Sequence, residues 1–267
     1  MPELPEVETI RRHLQSLVAG RTLRHLQVHE RVHLLKNTTE PELRDRLLGR
    51  SLETVARRGK YLLFIFGPET MVLHLRMSGR LLTAPANHTR LTLAFDETTL
   101  YFDDARRFGM LFACPTERLD ELDSLKKLGL EPFSDAYTLG AFRTLMTSSQ
   151  EIKRLLLDQH KIAGLGNIYA CEALFEARIH PERLAGSLSN AEIQSLHASI
   201  LEVLQRAIDA GGTTFSTYRV PSGELGRFQD EFAVYGREGA PCRRCGAPIA
   251  RIVQGGRSTF LCPDCQS

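Results

Sequence analysis

A chain of 267 residues with 42% hydrophobic and 25% charged side chains has the content of a folded globular protein, long enough for two domains. Its net charge of +2 gives no polyanion signal from the total. No apolar run approaches the roughly 18 residues that span a bilayer, and no basic segment followed by an apolar stretch opens the chain, so a membrane or secretory role is excluded in favour of the cytosol.

In chain order, the opening MPELPEVETIRR places Pro2, Glu3, Pro5, Glu6 and Glu8 at the terminus. An ordinary helix start accounts for this, since proline suits a first turn and acids suit the positive end of the helix dipole. The periodicity predicts a helix from Val7 to about Val18, ending near Gly20. YLLFIF, MVLHLRM, LTLAF and TLYFDD then read as short strands separated by the turn signals GPET, SGR and DETT, so residues 1 to about 130 form a β-rich domain. Basic clusters stand at Arg57, Arg58 and Lys60 and at Arg106 and Arg107, and alone they read as solvated faces.

LGLEPFSDAY reads as a linker, after which the period becomes helical. GAFRTLM, IKRLLLDQ, IYACEALFEARI and the stretch from Ser189 to about Ala210 are predicted helices, the last opened by a Ser189/Glu192 capping box and closed by Gly211-Gly212. Between two of them AGLGN forms a tight turn, with Asn167 as the expected N-cap of a helix starting at Ile168. Glycines beside a helix N-terminus present amides to an anion. The turn is therefore either an ordinary helical hairpin or a phosphate clamp.

CRRCGAPIARIVQGGRSTFLCPDC places Cys242, Cys245, Cys262 and Cys265 as two CxxC pairs sixteen residues apart. That spacing fits a four-thiolate zinc site, and PIARIVQ and STFLC read as a hairpin with its tip at Gly255-Gly256 and Arg257 beside it. A site closed by four thiolates leaves no open coordination position, so the zinc is structural. Cys114 and Cys171 stand apart and read as small buried hydrophobes. From Arg237 to the last residue there are five arginines against two acids.

MPELPEVET, RRGKYLLF, HLRMSGRL, DARRFG, LLLDQHKIAGLGNIYACEALF, AGGTT, FAVYGREGAPC and the terminal cysteine pairs together resemble the bacterial formamidopyrimidine-DNA glycosylases, nearly end to end. The resemblance implies an α+β multidomain fold. Its parts would be an N-terminal β-sandwich with its own helix (1–130), a helix–two-turns–helix domain (131–235) and a β-hairpin zinc finger (236–267). It implies a monomeric cytoplasmic enzyme of base excision repair that acts on damaged double-stranded DNA. Such an enzyme excises 8-oxoguanine and formamidopyrimidines and cleaves the strand by β,δ-elimination.

The resemblance also assigns roles. Loss of Met1 would make Pro2 the terminus, with a secondary amine as nucleophile; α-amino groups titrate at about 8, so a neutral fraction exists at cellular pH. Attack on C1′ displaces the base and leaves an iminium, whose fixed charge acidifies C2′ for elimination. Glu3 would be the acid–base group, and Glu6 either orients the site or is structural. Lys60 and Arg257 would contact phosphates and assist proton transfer and δ-elimination. His74, His88, Asn167 and Tyr235 match backbone-contact positions, which place DNA without reading its sequence. Met77, Arg106 and Phe108 match a trio that fills the gap left by base flipping, with Arg106 bonding the orphaned cytosine; without the resemblance, Met77 and Phe108 would read as core.

Two stretches depart from the family pattern. Ser148-Ser149-Gln150 stands where a basic residue is common, so that phosphate contact is either lost or supplied by Lys153, the nearest cation. TFSTYRVPSGELGRF, where the family caps the flipped purine, differs from the commoner sequence. The rival readings are an endonuclease VIII type acting on oxidised pyrimidines, disfavoured by Leu4 and by the RRFG motif, and a non-catalytic zinc-ribbon DNA-binding protein, which has no use for a terminal proline.

Overall fold

Leu4, Val7, Ile10, Leu14 and Val18 recur at helical spacing, and all are buried to 1% exposure or less along α1 (Leu4–Val18). The helix begins three residues before the expected start. Glu3 occupies the N-cap in a reciprocal capping box with Glu6, so the first turn extends back to Leu4. The computed structural model describes residues 1–29, 34–213 and 226–267. The chain divides into two compact units, Met1–Lys126 with Gly211–Arg227, and Lys127–Ala210 with Phe228–Ser267.

The first unit is a β-sandwich of two four-stranded antiparallel sheets. One has the order β1 (Leu23–Val28), β6 (Thr89–Phe95), β7 (Thr99–Asp103), β5 (Arg80–Leu82); the other runs β2 (Thr54–Arg58), β3 (Tyr61–Phe66), β4 (Glu69–His74), β8 (Met110–Pro115). Leu91, Leu93 and Phe95 alternate inward along β6 and meet Leu62, Phe64 and Leu73 in one apolar core. On the β2–β3 hairpin α1 packs directly, so β3 is buried along most of its length.

Four of these strands are expected from the sequence; β1, β2, β5, β8 and the short α2 (Glu40–Leu47) are not. Length alone does not set them apart, since β1 and β8 have six residues as β3 and β4 do; β5 has only three, and α2 buries only Glu40, Leu43 and Leu47, too few positions to show a period. The run MVLHLRM reads as one strand, but pairing stops at His74. Arg76 turns out with φ 54°, so Met77 leaves the sheet.

The second unit holds α3 (Leu139–Leu145), α4 (Ile152–Leu157), α5 (Asn167–Glu176) and α6 (Asn190–Asp209), followed by the hairpin β9 (Ala250–Gln254) and β10 (Arg257–Leu261). The Ser189/Glu192 capping box opens α6 as expected. Two helix ends differ from expectation. α4 stops at Leu157, and Gln159 instead staples the turn: its Nε2 donates to the Leu165 carbonyl (2.7 Å) and its Oε1 accepts from the Gly164 amide (2.9 Å). α5 is capped by Gly166, and Asn167 is its first residue rather than its cap. Gly255 and Gly256 take φ 54° and 74°, the paired left-handed conformation a two-residue hairpin turn requires. Among the described residues no helix is long and apolar enough to cross a membrane.

Candidate functional site

In the first unit the N-terminus of α1 is built into the fold. Pro2 is half-buried, while Glu3 and Glu6 are 4% and 2% exposed. Both oxygens of Glu6 are engaged: Oε2 accepts from the Glu3 amide and Oε1 from the Thr213 amide, each at 2.8 Å. Gly212 makes this approach possible. It has φ 80°, and a Cβ there would lie 3.1 Å from Glu6 Cγ. The sequence shows Gly211-Gly212 only as a helix terminator; their closeness to Glu6 is a tertiary fact.

Lys60 follows Gly59 (φ 56°) in the β2–β3 turn and is 5% exposed. Arg57 braces this turn from both sides, donating to the Gly59 carbonyl (3.0 Å) and to Glu8 of α1 (3.1 Å). Burial pushes the Glu8 carboxyl up, but hydrogen bonds from Arg11 and Arg57 outweigh it, so its pKa lies below the usual value. His74 pairs with Tyr61 across the strands, their rings edge-to-face at 4.5 Å. Burial, with the Arg76 and Lys60 charges, pushes His74 down to about 3, so its ring is neutral at physiological pH; its Nδ1 accepts from the Arg76 amide at 2.9 Å.

Two loops of the same unit bring Met77, Arg106 and Phe108 together. Met77 and Phe108 are 47% and 49% exposed, and the Arg106 guanidinium lies 4.7 Å from the Phe108 ring centroid. Large apolar side chains this exposed are not core, against what periodicity alone suggests. His88 is exposed, its amide donating to Asp103 Oδ1 at 2.8 Å. Sequence reasoning misses the groups that hold these loops, Ser78, Asp103 and Asp104; only their place inside TLYFDD and beside MSGR offers a signal.

In the second unit the hairpin beside the four cysteines is tied to the helices by buried polar groups. Lys153, expected as a phosphate contact, is fully buried, its ammonium donating to Thr259 Oγ1 (2.6 Å) and the Ser258 carbonyl (3.3 Å). That placement corrects the expectation: a buried ammonium with internal acceptors is a brace. Asn167 donates to the same Ser258 carbonyl at 2.9 Å. Glu172, 3% exposed on α5, accepts from the Ala233, Val234 and Tyr235 amides at 2.8, 3.0 and 2.8 Å. Burial raises its pKa against the lowering effect of those amides. The Tyr235 ring lies edge-on to Phe260 at 5.1 Å.

The arginines of the basic tail lie at the surface, and four of them are hydrogen-bonded within the chain. Arg237 donates to the Ala233 carbonyl, Arg243 to that of Asp230, Arg244 to Glu176 and Arg251 to Ser258 Oγ. Arg257 is exposed, and its side chain makes no hydrogen bond or ion pair among the described residues. Its strand partner Gln254 is buried and donates to Glu151 and the Pro181 carbonyl, anchoring the hairpin.

The Sγ atoms of Cys242, Cys245, Cys262 and Cys265 lie within 4.8 Å of one another, with Cys242–Cys265 at 3.9 Å and Cys245–Cys262 at 3.4 Å. A tetrahedral thiolate site with metal–sulfur bonds of about 2.3 Å has sulfur–sulfur edges of about 3.8 Å, so the four thiols fit one metal ion.

Three family models match the chain in order: formamidopyrimidine-DNA glycosylase N-terminal domain over residues 1–111, its H2TH domain over 128–219, and the zinc finger found in FPG and IleRS over 239–267. The formamidopyrimidine-DNA glycosylase of Thermus thermophilus is 48% identical over 270 residues, covering 100% of this chain and 98% of that protein. The one from Halalkalibacterium halodurans is 43% identical over 273 residues, with both chains fully covered. The crystal structure of the MutM (FPG) protein from Thermus thermophilus superposes with a TM-score of 0.91 at 47% identity, covering 99% of this chain and 98% of that one. A Lactococcus lactis FPG mutant in complex with Fapy-dG-containing DNA gives 0.90 at 39% identity, with 99% of each chain covered. Matched by these models along nearly its whole length, and by relatives through all three parts, the chain belongs to the formamidopyrimidine-DNA glycosylase family.

Proposed function

We propose that this protein is a bifunctional DNA glycosylase of base excision repair. It excises oxidised purines, 8-oxoguanine and formamidopyrimidines, from duplex DNA and then cleaves the strand at the abasic site. The observation that carries the reading is the anchored terminus: Pro2 stands beside buried Glu3, and Glu6 clamps that turn to Thr213. A binding module needs no rigid terminus, whereas a terminal nucleophile does, since misplacement by an ångström costs orders of magnitude in rate.

With Met1 removed, the Pro2 nitrogen is a secondary amine. It attacks C1′, the C1′–N bond to the base breaks, and the departing base carries off the bonding pair with a proton. Opening of the sugar, with Glu3 donating a proton to the ring oxygen, leaves an iminium between Pro2 and C1′. The iminium draws electron density from C2′; loss of the C2′ proton expels the 3′ phosphate, and a second elimination expels the 5′ phosphate. Glu6, both oxygens already occupied, positions Glu3 rather than carrying protons. Lys60 contacts phosphate from its braced turn. Met77, Arg106 and Phe108 enter the space left by the flipped nucleotide, with Arg106 facing the orphaned base.

The second unit binds backbone. Asn167, Tyr235 and Arg257 contact phosphates, and Cys242, Cys245, Cys262 and Cys265 hold one zinc ion that keeps the hairpin folded and takes no part in the chemistry.

The test is borohydride reduction during incision of an 8-oxoguanine duplex, followed by peptide mapping of the trapped adduct. The expected adduct is on Pro2. An adduct on a lysine, or excision confined to oxidised pyrimidines, would overturn the reading.

A further inference from the structure

One buried carboxylate reaches both loops that carry Met77, Arg106 and Phe108. Asp104 is 1% exposed; its Oδ1 accepts from the Ser78 hydroxyl, and its Oδ2 accepts from the Gly109 amide at 2.7 Å. The Ser78 oxygen in turn accepts from the Arg106 amide at 3.2 Å. The hydrogen bonds therefore run from Arg106 through Ser78 to Asp104 and on to Gly109, closing a ring around the exposed segment 105–108. Met77 directly precedes Ser78, at the edge of the same ring.

The backbone under these loops has little room to slide. A Cβ at Gly79 would lie 2.7 Å from the Phe102 ring, and one at Gly109 would lie 2.5 Å from it, so both glycines pack against the tip of one buried aromatic ring. Arg107 sits at φ 59°, a left-handed conformation that a non-glycine residue keeps only when its surroundings hold it. The Asp104 amide also donates to the His88 carbonyl at 3.0 Å, which ties the ring to the chain entering β6.

We propose that Ser78 and Asp104 are positioning residues that hold the three intercalating side chains in their working arrangement before DNA arrives. The energy of ordering two loops is then met during folding and not at each extrusion of a base. This rests on the intercalating role given to Met77, Arg106 and Phe108 above. An aspartate suits the task because its two oxygens accept from two loops at once. Asparagine offers one acceptor: turned to Gly109, it takes the acceptor from the Ser78 hydroxyl proton; turned to Ser78, it sets an amide N–H against the Gly109 N–H.

The experiment compares full-length wild type, Ser78→Ala, Ser78→Thr, Asp104→Asn and Arg106→Ala. It measures single-turnover excision of 8-oxoguanine paired with cytosine or adenine, borohydride trapping on a single-stranded abasic oligonucleotide, and thermal melting. Ser78→Ala, which removes both the bond to Asp104 and the one from the Arg106 amide, should slow excision from the cytosine duplex about five- to tenfold. Ser78→Thr, which keeps the hydroxyl, should restore it to within about twofold. Both Ser78→Ala and Asp104→Asn should shift the cytosine-to-adenine ratio toward that of Arg106→Ala. Trapping on the single strand, where no base is extruded, should be unchanged. Wild-type protein that excises no oxidised purine would overturn the function proposed above. Wild-type protein that does so, with Ser78→Ala and Asp104→Asn matching it in rate and ratio, would overturn the positioning role alone. So would equal losses on duplex and single strand, which would mark the pair as merely structural.

Discussion

The two regions assigned to meet DNA are held in place by different means. In the first unit the loops carrying Met77, Arg106 and Phe108 stand on a continuous apolar core, and buried carboxylates aim them: Asp104 for the loops, Glu6 for the terminus of α1. In the second unit the hairpin carrying Arg257 has little core of its own, and its buried cluster includes Cys242 and Cys262. Its position is set by the metal site and by Lys153, Asn167, Glu172 and Gln254. A sandwich loop needs only local hydrogen bonds because sheet packing does the rest. A hairpin on a small module needs a metal and several polar braces, because apolar burial cannot order it alone.

That contrast predicts where damage is greatest. Cys262→Ala, or chelation of the metal, should unfold the hairpin and displace Arg257. Affinity for a lesion duplex should fall by about 100-fold or more, since metal binding supplies on the order of 10 kcal/mol to the folding of such modules. Circular dichroism should show the β-sandwich intact. Undiminished DNA binding by the metal-free variant would erase the distinction between the two regions.

A smaller break comes from Glu172→Ala, which strips the acceptor from three buried amides leading into the hairpin. Its cost should be about 2–4 kcal/mol in the stability of the second unit, read by denaturant unfolding. Glu172→Gln keeps one carbonyl acceptor and should cost less. A loss confined to the first unit would show that these bonds do not brace the region they connect.

Between pH 7 and 5 the mildest effect concerns His74 in the first unit. Its folded pKa of about 3 lies below the ordinary 6.5, so between these values the unfolded chain binds a proton that the folded chain refuses. The neutral ring therefore favours folding fully above pH 6.5, and this contribution is lost as pH falls toward 3, by up to about 1.4 kcal/mol per pH unit. His74→Gln should flatten the slope of stability against pH in that window, compared with wild type by urea unfolding at pH 7, 6 and 5. Identical slopes would show that burial of His74 does not resist protonation.

The amino-acid sequence by itself determined what local spacing can encode. Two CxxC pairs named the metal ligands, short apolar or alternating runs marked four strands of the sandwich, and Ser189 with Glu192 marked the start of α6. Each is a relation among residues a few positions apart, which backbone geometry converts directly into shared faces or caps. Tertiary structure alone decided the polar partnerships. Glu6 meets Thr213 across 207 positions, Lys153 meets Thr259 across 106, and Ser78 meets Asp104 across 26. A lysine facing solvent and a lysine sealed against a threonine have the same one-letter code, as do an aspartate on a turn and one latching two loops. Which of them arises depends on what the whole chain packs against that side chain, because a buried charge persists only where distant segments supply its hydrogen-bond partners.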